Sequence, residues 1–268
     1  MRHIAAVIKL FAFLLVTLFY YSIMMAVLVL SLVGVNYEKY RGYLLNYWGK
    51  SVCMIMRIKF EISGKVPEPP FFLVSNHLSY TDIFVLFSQL RCLFVAKSDV
   101  KQWPFIGFIV KTCGILFIDR ERKRDITRVN DNISKNINEN QGIIIFPEGT
   151  TSPGANVLRF RAPLLQYPAS MNFPVSYVAL SYRTPENEES AYRSVCWWED
   201  IPFFVHFYDL LKLKSITCFM RFGEETIARS DRKELTISLN KAVSERLKPT
   251  IMTKEFNLKH GEFEPLKI

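Results

Sequence analysis

Apolar positions divide the chain into an uninterrupted N-terminal run and a longer region of short alternating segments. The first run, from Leu10 to Val35, contains no charged side chain. At about 1.5 Å per residue, a helix of this length would reach roughly 39 Å, more than the roughly 30 Å of hydrocarbon in a bilayer. A secretory signal peptide has a shorter apolar core and a small-residue cleavage site, and no such site follows Gly34. We therefore predict that residues 1–56 form a retained membrane-anchoring helical segment, either spanning the bilayer or half-immersed.

Beyond the anchor, apolar runs of strand length alternate with segments whose apolar residues recur at helical spacing. Such spacing predicts helices over Ile126–Ile137 and over Leu235–Leu247, the second closed by Pro249. The alternation predicts an α/β domain at residues 57–249, with a mostly buried central sheet flanked by helices. A loosely held tail is expected at residues 250–268. The predicted strands are Arg57–Ile62, Phe71–Val74, Cys92–Ala96, Ile115–Ile118, Ile143–Phe146, Val175–Tyr182, Val195–Trp198 and Ile216–Phe222.

Composition and charge narrow the classes of function. The chain has 268 residues and is 50% hydrophobic, which excludes a disordered or fibrous protein. A net charge of +9 indicates attraction to anions such as phosphates, nucleic acid or an acidic membrane face. The 5 cysteines are scattered, so neither a disulfide framework nor a zinc site is predicted and a reducing compartment is favoured. Basic residues are more numerous after the apolar run than before it, which places the following domain in the cytoplasm.

One of the 4 histidines lies in a setting that suits chemistry. His77 follows the predicted strand Phe71–Val74 and precedes an apolar helical pattern that begins near Ile83. In a continuous helix Asp82 would face away from His77, but at a strand-to-helix turn it can reach back to the imidazole. It would then fix the tautomer and leave the other ring nitrogen as a general base. The same stretch also fits a plain helix cap, Ser79-x-x-Asp82, with no catalytic role.

Two further segments combine a predicted strand with groups that suit an anion. Gly114 to Arg120 is an apolar strand that runs into a basic cluster, where an arginine can clamp a phosphate. Ile143 to Ser152 runs from an apolar strand into Pro-Glu-Gly-Thr, where glycine permits close backbone approach and N–H groups can receive an anion. Taken singly, these segments fit a solvated helix start and a simple turn equally well.

Together and in this order, the three segments resemble the glycerolipid acyltransferase family, typified by 1-acylglycerol-3-phosphate acyltransferases. The family pattern reads Asn-His-x4-Asp, then Gly-x-x-Phe-Ile-x-Arg, then Phe-Pro-Glu-Gly-Thr. Here these motifs are Asn76–Asp82, Gly114–Arg120 and Phe146–Thr150. Phe173-Pro174-Val175 is a weaker fourth match, and Lys97 lies in a stretch similar to the family's segment between the first two motifs.

The resemblance implies a membrane-bound O-acyltransferase that moves an acyl group from acyl-CoA or acyl-carrier protein to the free hydroxyl of a lysolipid. The first choice of acceptor is 1-acylglycerol-3-phosphate, giving phosphatidic acid. As the implied catalytic pair, His77 would take the hydroxyl proton and Asp82 would hold His77. No metal or bound cofactor is implied, because the thioester brings the activation. The implied partners are the lysolipid, the acyl thioester and membrane lipid, without nucleic acid, at the inner or cytoplasmic membrane. The implied substrate-binding residues are Asn76, Lys97, Arg120, Glu148, Gly149 and Thr150.

Departures from the family pattern leave the acceptor open. Many members carry an arginine after Glu-Gly-Thr, on the acceptor phosphate, whereas this chain has Thr151. A lyso-ornithine lipid or a lysophospholipid with a larger head group is therefore the alternative acceptor. Trp197–Asp200 and His206 are similar to a segment of some bacterial members, including ones that acylate other lysolipids. We favour the simpler interpretation that this aromatic stretch makes core or membrane-interface contacts.

Two other classes of function stay open from the sequence alone. A thioester or lipid hydrolase could use His77 to activate water or a serine, although no Gly-x-Ser-x-Gly sequence occurs. A non-catalytic module could use the basic surface to hold anionic lipid or nucleic acid, although no recognised nucleic-acid module is present in the sequence.

Overall fold

The computed structural model describes residues 2–97, 106–118 and 131–263. Two helices come first, α1 (Arg2–Leu30) and α2 (Tyr37–Ile55), with a 3-10 turn at Ser31–Val33 between them. The strands that follow are β1 (Ile58–Ser63), β2 (Phe72–Ser75), β3 (Cys92–Lys97), β4 (Leu116–Ile118), β5 (Gly142–Ile145), β6 (Val175–Arg183) and β7 (Ile216–Phe222). The helices among them are α3 (Thr81–Gln89), α4 (Ile106–Thr112), α5 (Gln166–Ser170), α6 (Ala191–Ser194), α7 (Phe203–Lys212), α8 (Arg232–Arg246) and α9 (Thr253–His260). Residues 131–136 are also helical, and Ala162–Leu165 forms a second 3-10 turn.

Across the described residues, seven strands form one mixed sheet in the order β1-β7-β6-β2-β5-β3-β4. Neighbouring strands are parallel, except that β6 and β7 are antiparallel. The central strand β2 is buried from Phe72 to Ser75, as expected where helices cover both faces of a sheet. The predicted α/β class, with a mostly buried sheet flanked by helices, is therefore confirmed.

The order of the strands brings three segments to one edge of the sheet. Because β2 and β5 are parallel neighbours, the segments that begin at Asn76 and Phe146 leave the sheet side by side. β6 lies on the other side of β2, runs parallel to it and continues past its end. This extension carries Tyr182 beside the first motif, so the candidate site is built where β2, β5 and β6 meet.

One side of helix α1 packs against the domain, and its other side exposes large apolar side chains. Phe13 packs edge-on against Phe207 with ring centroids 5.1 Å apart, and Trp48 Nε1 donates to Thr17 Oγ1 at 3.1 Å. Together with the turn after it, α1 is the one helix in the described ranges that is long and apolar enough to cross a membrane. The predicted N-terminal apolar helix is therefore present. Its exposed apolar side chains include Ile4, Val7, Ile8, Phe11, Leu14, Leu15, Leu18 and Phe19.

One predicted strand, Val195–Trp198, is wrong. These residues form a turn and an irregular stretch instead. Their main-chain groups are engaged elsewhere: Cys196 N–H donates to Ala191 O, and Trp197 N–H donates to Leu78 O at 2.8 Å. The apolar run is buried because it covers the loop after β2, which a pattern of hydrophobic residues cannot distinguish from burial in a sheet.

The expectation of a loose tail is also wrong for the part of it that the structure describes. Thr253–His260 form helix α9, and Phe256 is only 1% exposed. Its ring packs edge-on against Trp198 with centroids 5.2 Å apart, so apolar burial holds this segment on the domain. The division into segments 1–56, 57–249 and 250–268 stays a prediction.

The remaining elements follow the sequence closely. The other predicted strands are present with ends shifted by about one residue, and α8 corresponds to the predicted helix over Leu235–Leu247. The predicted helix over Ile126–Ile137 lies partly outside the described residues, and its described part, residues 131–136, is helical.

Candidate active site

The first motif forms the turn between β2 and α3 and brings His77 and Asp82 into contact. Nδ1 of His77 lies 2.8 Å from Oδ2 of Asp82. The Asp82 side chain is fully buried in the first turn of α3, whereas the His77 side chain keeps 20% exposure. An ionised carboxylate can only accept a hydrogen bond, so Nδ1 carries the hydrogen and Nε2 is the basic nitrogen. The predicted contact is confirmed, while the catalytic role of the pair stays a prediction.

Asp82 acts as a cap for the turn at the same time. Its Oδ2 accepts the main-chain N–H of Leu78 at 2.7 Å and that of Ser79 at 3.0 Å. One carboxylate oxygen therefore makes both contacts that the sequence allowed, since it orders the turn and orients the imidazole.

Tyr182 supplies a further donor to Asp82, and sequence reasoning missed it. Its hydroxyl donates to Asp82 Oδ1 at 2.6 Å, and its ring is buried. Burial raises the pKa of Tyr182, so the hydroxyl keeps its proton near neutral pH. The single signal in the sequence was a polar-tipped aromatic at the end of a predicted buried strand, since a buried tyrosine hydroxyl usually finds a partner.

An aromatic face completes the support of His77. The imidazole stacks on Phe146, with ring centroids 4.0 Å apart and planes 12° from parallel. Phe146 stacks in turn on Phe94 with centroids 5.7 Å apart. Nothing in the described part of the chain bonds Nε2, so the basic nitrogen is available to an alcohol while the opposite edge and one face of the ring are fixed.

Glu148 lies differently from what the resemblance implied. Its side chain is buried, and Oε2 accepts the main-chain N–H of His77 at 3.1 Å while Oε1 accepts that of Leu158 at 2.9 Å. Burial raises the pKa of Glu148 well above its usual range. Both oxygens thus serve the protein's own main chain, which favours a role in holding the His77 backbone over contact with a head group.

Asn76 is also turned inward. Its Nδ2 donates to Leu180 O at 3.0 Å and its Oδ1 accepts from Leu180 N–H at 2.8 Å, which joins the end of β2 to β6. Gly149 has a φ of 80°, a left-handed conformation that favours glycine, and its N–H closes a turn onto Phe146 O at 3.2 Å. Thr150 is half-buried beside it. The third motif therefore packs directly behind the first.

The two basic residues expected at the acceptor are not placed. Lys97 ends β3, but its side chain lies outside the described part of the structure. Arg120 lies outside the described residues altogether. Their predicted contacts with a head group stay predictions.

The aromatic segment after β6 is tied to the same turn. The hydroxyl of Thr151, at the position where many family members carry arginine, donates to the main-chain carbonyl of Trp197. Trp197 N–H donates to Leu78 O, next to His77, and the Tyr80 hydroxyl lies 2.8 Å from His206 Nδ1. The favoured interpretation of this stretch as core contact is correct in part, because it covers the candidate catalytic turn. Within the described ranges, no three His, Cys, Asp or Glu side chains converge as a metal site would require.

An imidazole held by a buried carboxylate, at the edge where a strand pair ends, is an arrangement suited to taking a proton from an alcohol. A family model described as "Acyltransferase" matches residues 57–181. Residues 57–181 therefore match an acyltransferase domain, and this match together with the relatives supports an enzyme of the glycerolipid acyltransferase family.

Relatives named as acyltransferases agree with this class, and a solved structure shares the fold. The chain is 28% identical over 240 residues to the lyso-ornithine lipid O-acyltransferase of Rhizobium meliloti, covering 85% of this chain and 82% of that protein. It is 28% identical over 199 residues to the 1-acyl-sn-glycerol-3-phosphate acyltransferase of Neisseria meningitidis, covering 70% and 77%. The crystal structure of the 1-acyl-sn-glycerophosphate acyltransferase of Thermotoga maritima has the same fold, with a TM-score of 0.65 at 19% identity over 98% of this chain and 100% of that one.

Proposed function

We propose that this protein is a membrane-associated O-acyltransferase that moves a fatty acyl group from a thioester, acyl-CoA or acyl-carrier protein, to the free hydroxyl of a lysolipid. The observation that carries the proposal is the 2.8 Å contact between His77 and the buried Asp82, with Nε2 left open. Similarity to proteins named as acyltransferases supports the reaction class, and the geometry of His77 supports its role as the base.

In the proposed reaction, Nε2 of His77 takes the acceptor's hydroxyl proton while its oxygen attacks the thioester carbonyl. The carbon–sulfur bond breaks, the acyl ester forms, and the imidazolium returns the proton to the leaving thiolate. Asp82 stabilises the imidazolium and fixes its orientation. Such proton transfer contributes about 10²- to 10⁴-fold, and positioning of both substrates supplies more.

For the acceptor we propose a lyso-ornithine lipid. Thr151 stands where an arginine would meet a phosphate, and its hydroxyl is engaged by Trp197 O. A head group built on an amino acid does not need that phosphate contact. The relative from Rhizobium meliloti, which covers most of the chain, is named for this acceptor.

The second candidate is 1-acylglycerol-3-phosphate, our first choice from the sequence. The relative from Neisseria meningitidis is named for this acceptor, and the basic cluster at Arg120 would suit its phosphate.

We further propose that the apolar side of α1 lies in the inner or cytoplasmic membrane and that the catalytic domain faces the cytoplasm. Cleavage of a C-terminal tag by protease added to intact spheroplasts would contradict that orientation.

The test uses the purified full chain in detergent, a labelled acyl thioester and a panel of lysolipids. We expect transfer to lyso-ornithine lipid, and a loss of at least about 10²-fold in turnover for His77→Ala. His260→Ala, at an exposed histidine on α9, is the matched control and should turn over normally.

Three outcomes would revise the proposal. Selective labelling of 1-acylglycerol-3-phosphate would replace the acceptor by the second candidate. Acyl release without any lysolipid, as fast as transfer, would instead indicate a hydrolase. Near-normal turnover by the folded His77→Ala variant would remove the proposed base.

A further inference from the structure

The turn that carries His77 is held by two sets of contacts, which we call inner and outer. On the inner side, Asp82 and Glu148 accept the main-chain N–H groups described above. On the outer side, Trp197 N–H donates to Leu78 O at 2.8 Å, and the Tyr80 hydroxyl lies 2.8 Å from His206 Nδ1. The outer contacts come from residues 197 and 206, more than a hundred positions further along the chain, and the hydrogen bonds and ring contact of His77 are made with other residues.

The hydrogen bonds of His206 define its tautomer. Nε2 lies 3.2 Å from the main-chain carbonyl of Cys196, which can only accept, so Nε2 carries the hydrogen. Nδ1 is then the acceptor and the Tyr80 hydroxyl donates to it. The ring is 3% exposed, and burial lowers the pKa of His206, so the neutral form persists near neutral pH. One neutral imidazole thereby joins Tyr80 to the residue just before Trp197.

The surroundings make this link rigid. The Tyr80 ring packs edge-on against Phe203, Trp197 and His206, with centroid distances of 4.9, 5.7 and 5.6 Å. The Trp197 indole N–H donates to Ile201 O at 2.8 Å, which closes the segment between Trp197 and α7 on itself. A displacement of His206 would therefore move both outer contacts of the turn together.

We propose that His206 is a positioning residue for the acyl transfer, acting through Tyr80 and the Trp197 main chain to fix the outer side of the His77 turn. The inference rests on the proposed function of His77. Because neither His206 nor the Tyr80 hydroxyl contacts Nε2, their loss should slow the chemical step rather than weaken thioester binding.

Tyr80→Phe tests this with the least change, since it removes one hydroxyl and leaves the aromatic packing. We expect kcat to fall by about five- to twentyfold, as loss of a buried hydrogen bond implies, with KM for acyl-CoA within about twofold. Tyr208→Phe is the matched control on α7, because the Tyr208 hydroxyl also lies against a histidine, His3, at 3.1 Å, away from the turn. The control should keep normal kcat.

Two variants of His206 separate positioning from general stability. In His206→Asn, the side-chain oxygen can take the place of Nδ1 and accept from Tyr80. In His206→Gln, the side-chain NH₂ group can take the place of Nε2 and donate to Cys196 O. Both remove ring volume. We expect His206→Asn to keep at least about threefold more kcat than His206→Gln, because only the asparagine preserves the bond to Tyr80.

All variants are compared at a temperature where circular dichroism shows them folded. A Tyr80→Phe enzyme with kcat within about twofold of wild type would overturn the proposal. Equal kcat values for His206→Asn and His206→Gln would also overturn the proposal. This comparison remains decisive if Tyr80→Phe does not fold. These outcomes leave the proposed function standing as long as His77→Ala is inactive and the wild-type chain transfers acyl groups.

Discussion

Replacing Asp82 by asparagine would remove a negative charge while keeping the shape of the side chain. Three donors converge on Oδ2: His77 Nδ1 at 2.8 Å, Leu78 N–H at 2.7 Å and Ser79 N–H at 3.0 Å. The amide oxygen must take this position, since an NH₂ group there would face three donors. The NH₂ group then faces the Tyr182 oxygen, which can accept. The variant therefore keeps the orientation and tautomer of His77, loses the charge, and reverses the hydrogen bond to Tyr182.

The size of the effect follows from the separation of the charges. A full imidazolium and a carboxylate about 4 Å apart attract by about 4 kcal/mol at an effective dielectric of about 20. That corresponds to about 10³-fold in rate if the proton is fully on His77 in the transition state. Because the transfer is partial at that point, we expect kcat of Asp82→Asn to fall by about 10²-fold.

The assay is transfer of labelled acyl groups from acyl-CoA to the preferred lysolipid at saturating concentrations of both substrates. Tyr182→Phe is the control, because it removes a donor from Asp82 but keeps the charge. A kcat within about threefold of wild type would refute the claim that the charge stabilises the imidazolium. A fall of about 10⁴-fold would refute the claim that the tautomer is preserved, since a loss of that size accompanies the wrong imidazole tautomer.

Three further perturbations test the surroundings of the site. Tyr182→Phe should lose about 2 kcal/mol of unfolding free energy in denaturant titrations, because a buried charged acceptor loses its donor; an unchanged midpoint would contradict this. Burial lowers the folded-state pKa of His206, so its contribution to stability is present above about pH 6.5 and is lost as the pH falls through the folded value. The thermal midpoint should therefore fall less steeply from about pH 7 to pH 5 in His206→Gln than in the wild-type protein, and equal slopes would contradict this expectation. Gly49→Ala would place a Cβ 2.6 Å from Ser88 N, so we expect a loss of about 1–3 kcal/mol, whereas wild-type stability would show that α2 and α3 can separate freely.

Local patterns predicted the sheet and the central pair well, for a physical reason. Short apolar runs such as Phe71–Val74 are buried in the folded protein, and in an α/β domain a buried run of this length is typical of a strand. His77 and Asp82 are separated by a single turn, and the geometry of a strand-to-helix turn is set by these few residues. Their contact could therefore be anticipated without knowledge of the rest of the chain.

Contacts between distant segments could not be anticipated in this way. Tyr182 follows Asp82 by 100 positions, and only the placement of β6 beside β2 brings them together. Glu148 was expected at the head group, but β5 pairs with β2 so closely that the carboxylate meets the His77 main chain instead. Val195–Trp198 had the apolar content of a strand, yet its burial comes from covering a loop. Strand order decided the first two outcomes and packing on a loop decided the third, and periodicity encodes neither.

The inward direction of the motif side chains bears on how this family can change its acceptor. Asn76, Asp82 and Glu148 each have both terminal side-chain atoms bonded within the protein. Groups that are fully engaged in this way fix the base but cannot distinguish one head group from another, because binding a new partner would break a buried hydrogen bond. Discrimination must then come from residues along the approach to His77 Nε2. Thr151 is one position to test, since its hydroxyl donates to the Trp197 carbonyl where many family members carry an arginine, so an arginine there would both add a charge and remove this support of the turn.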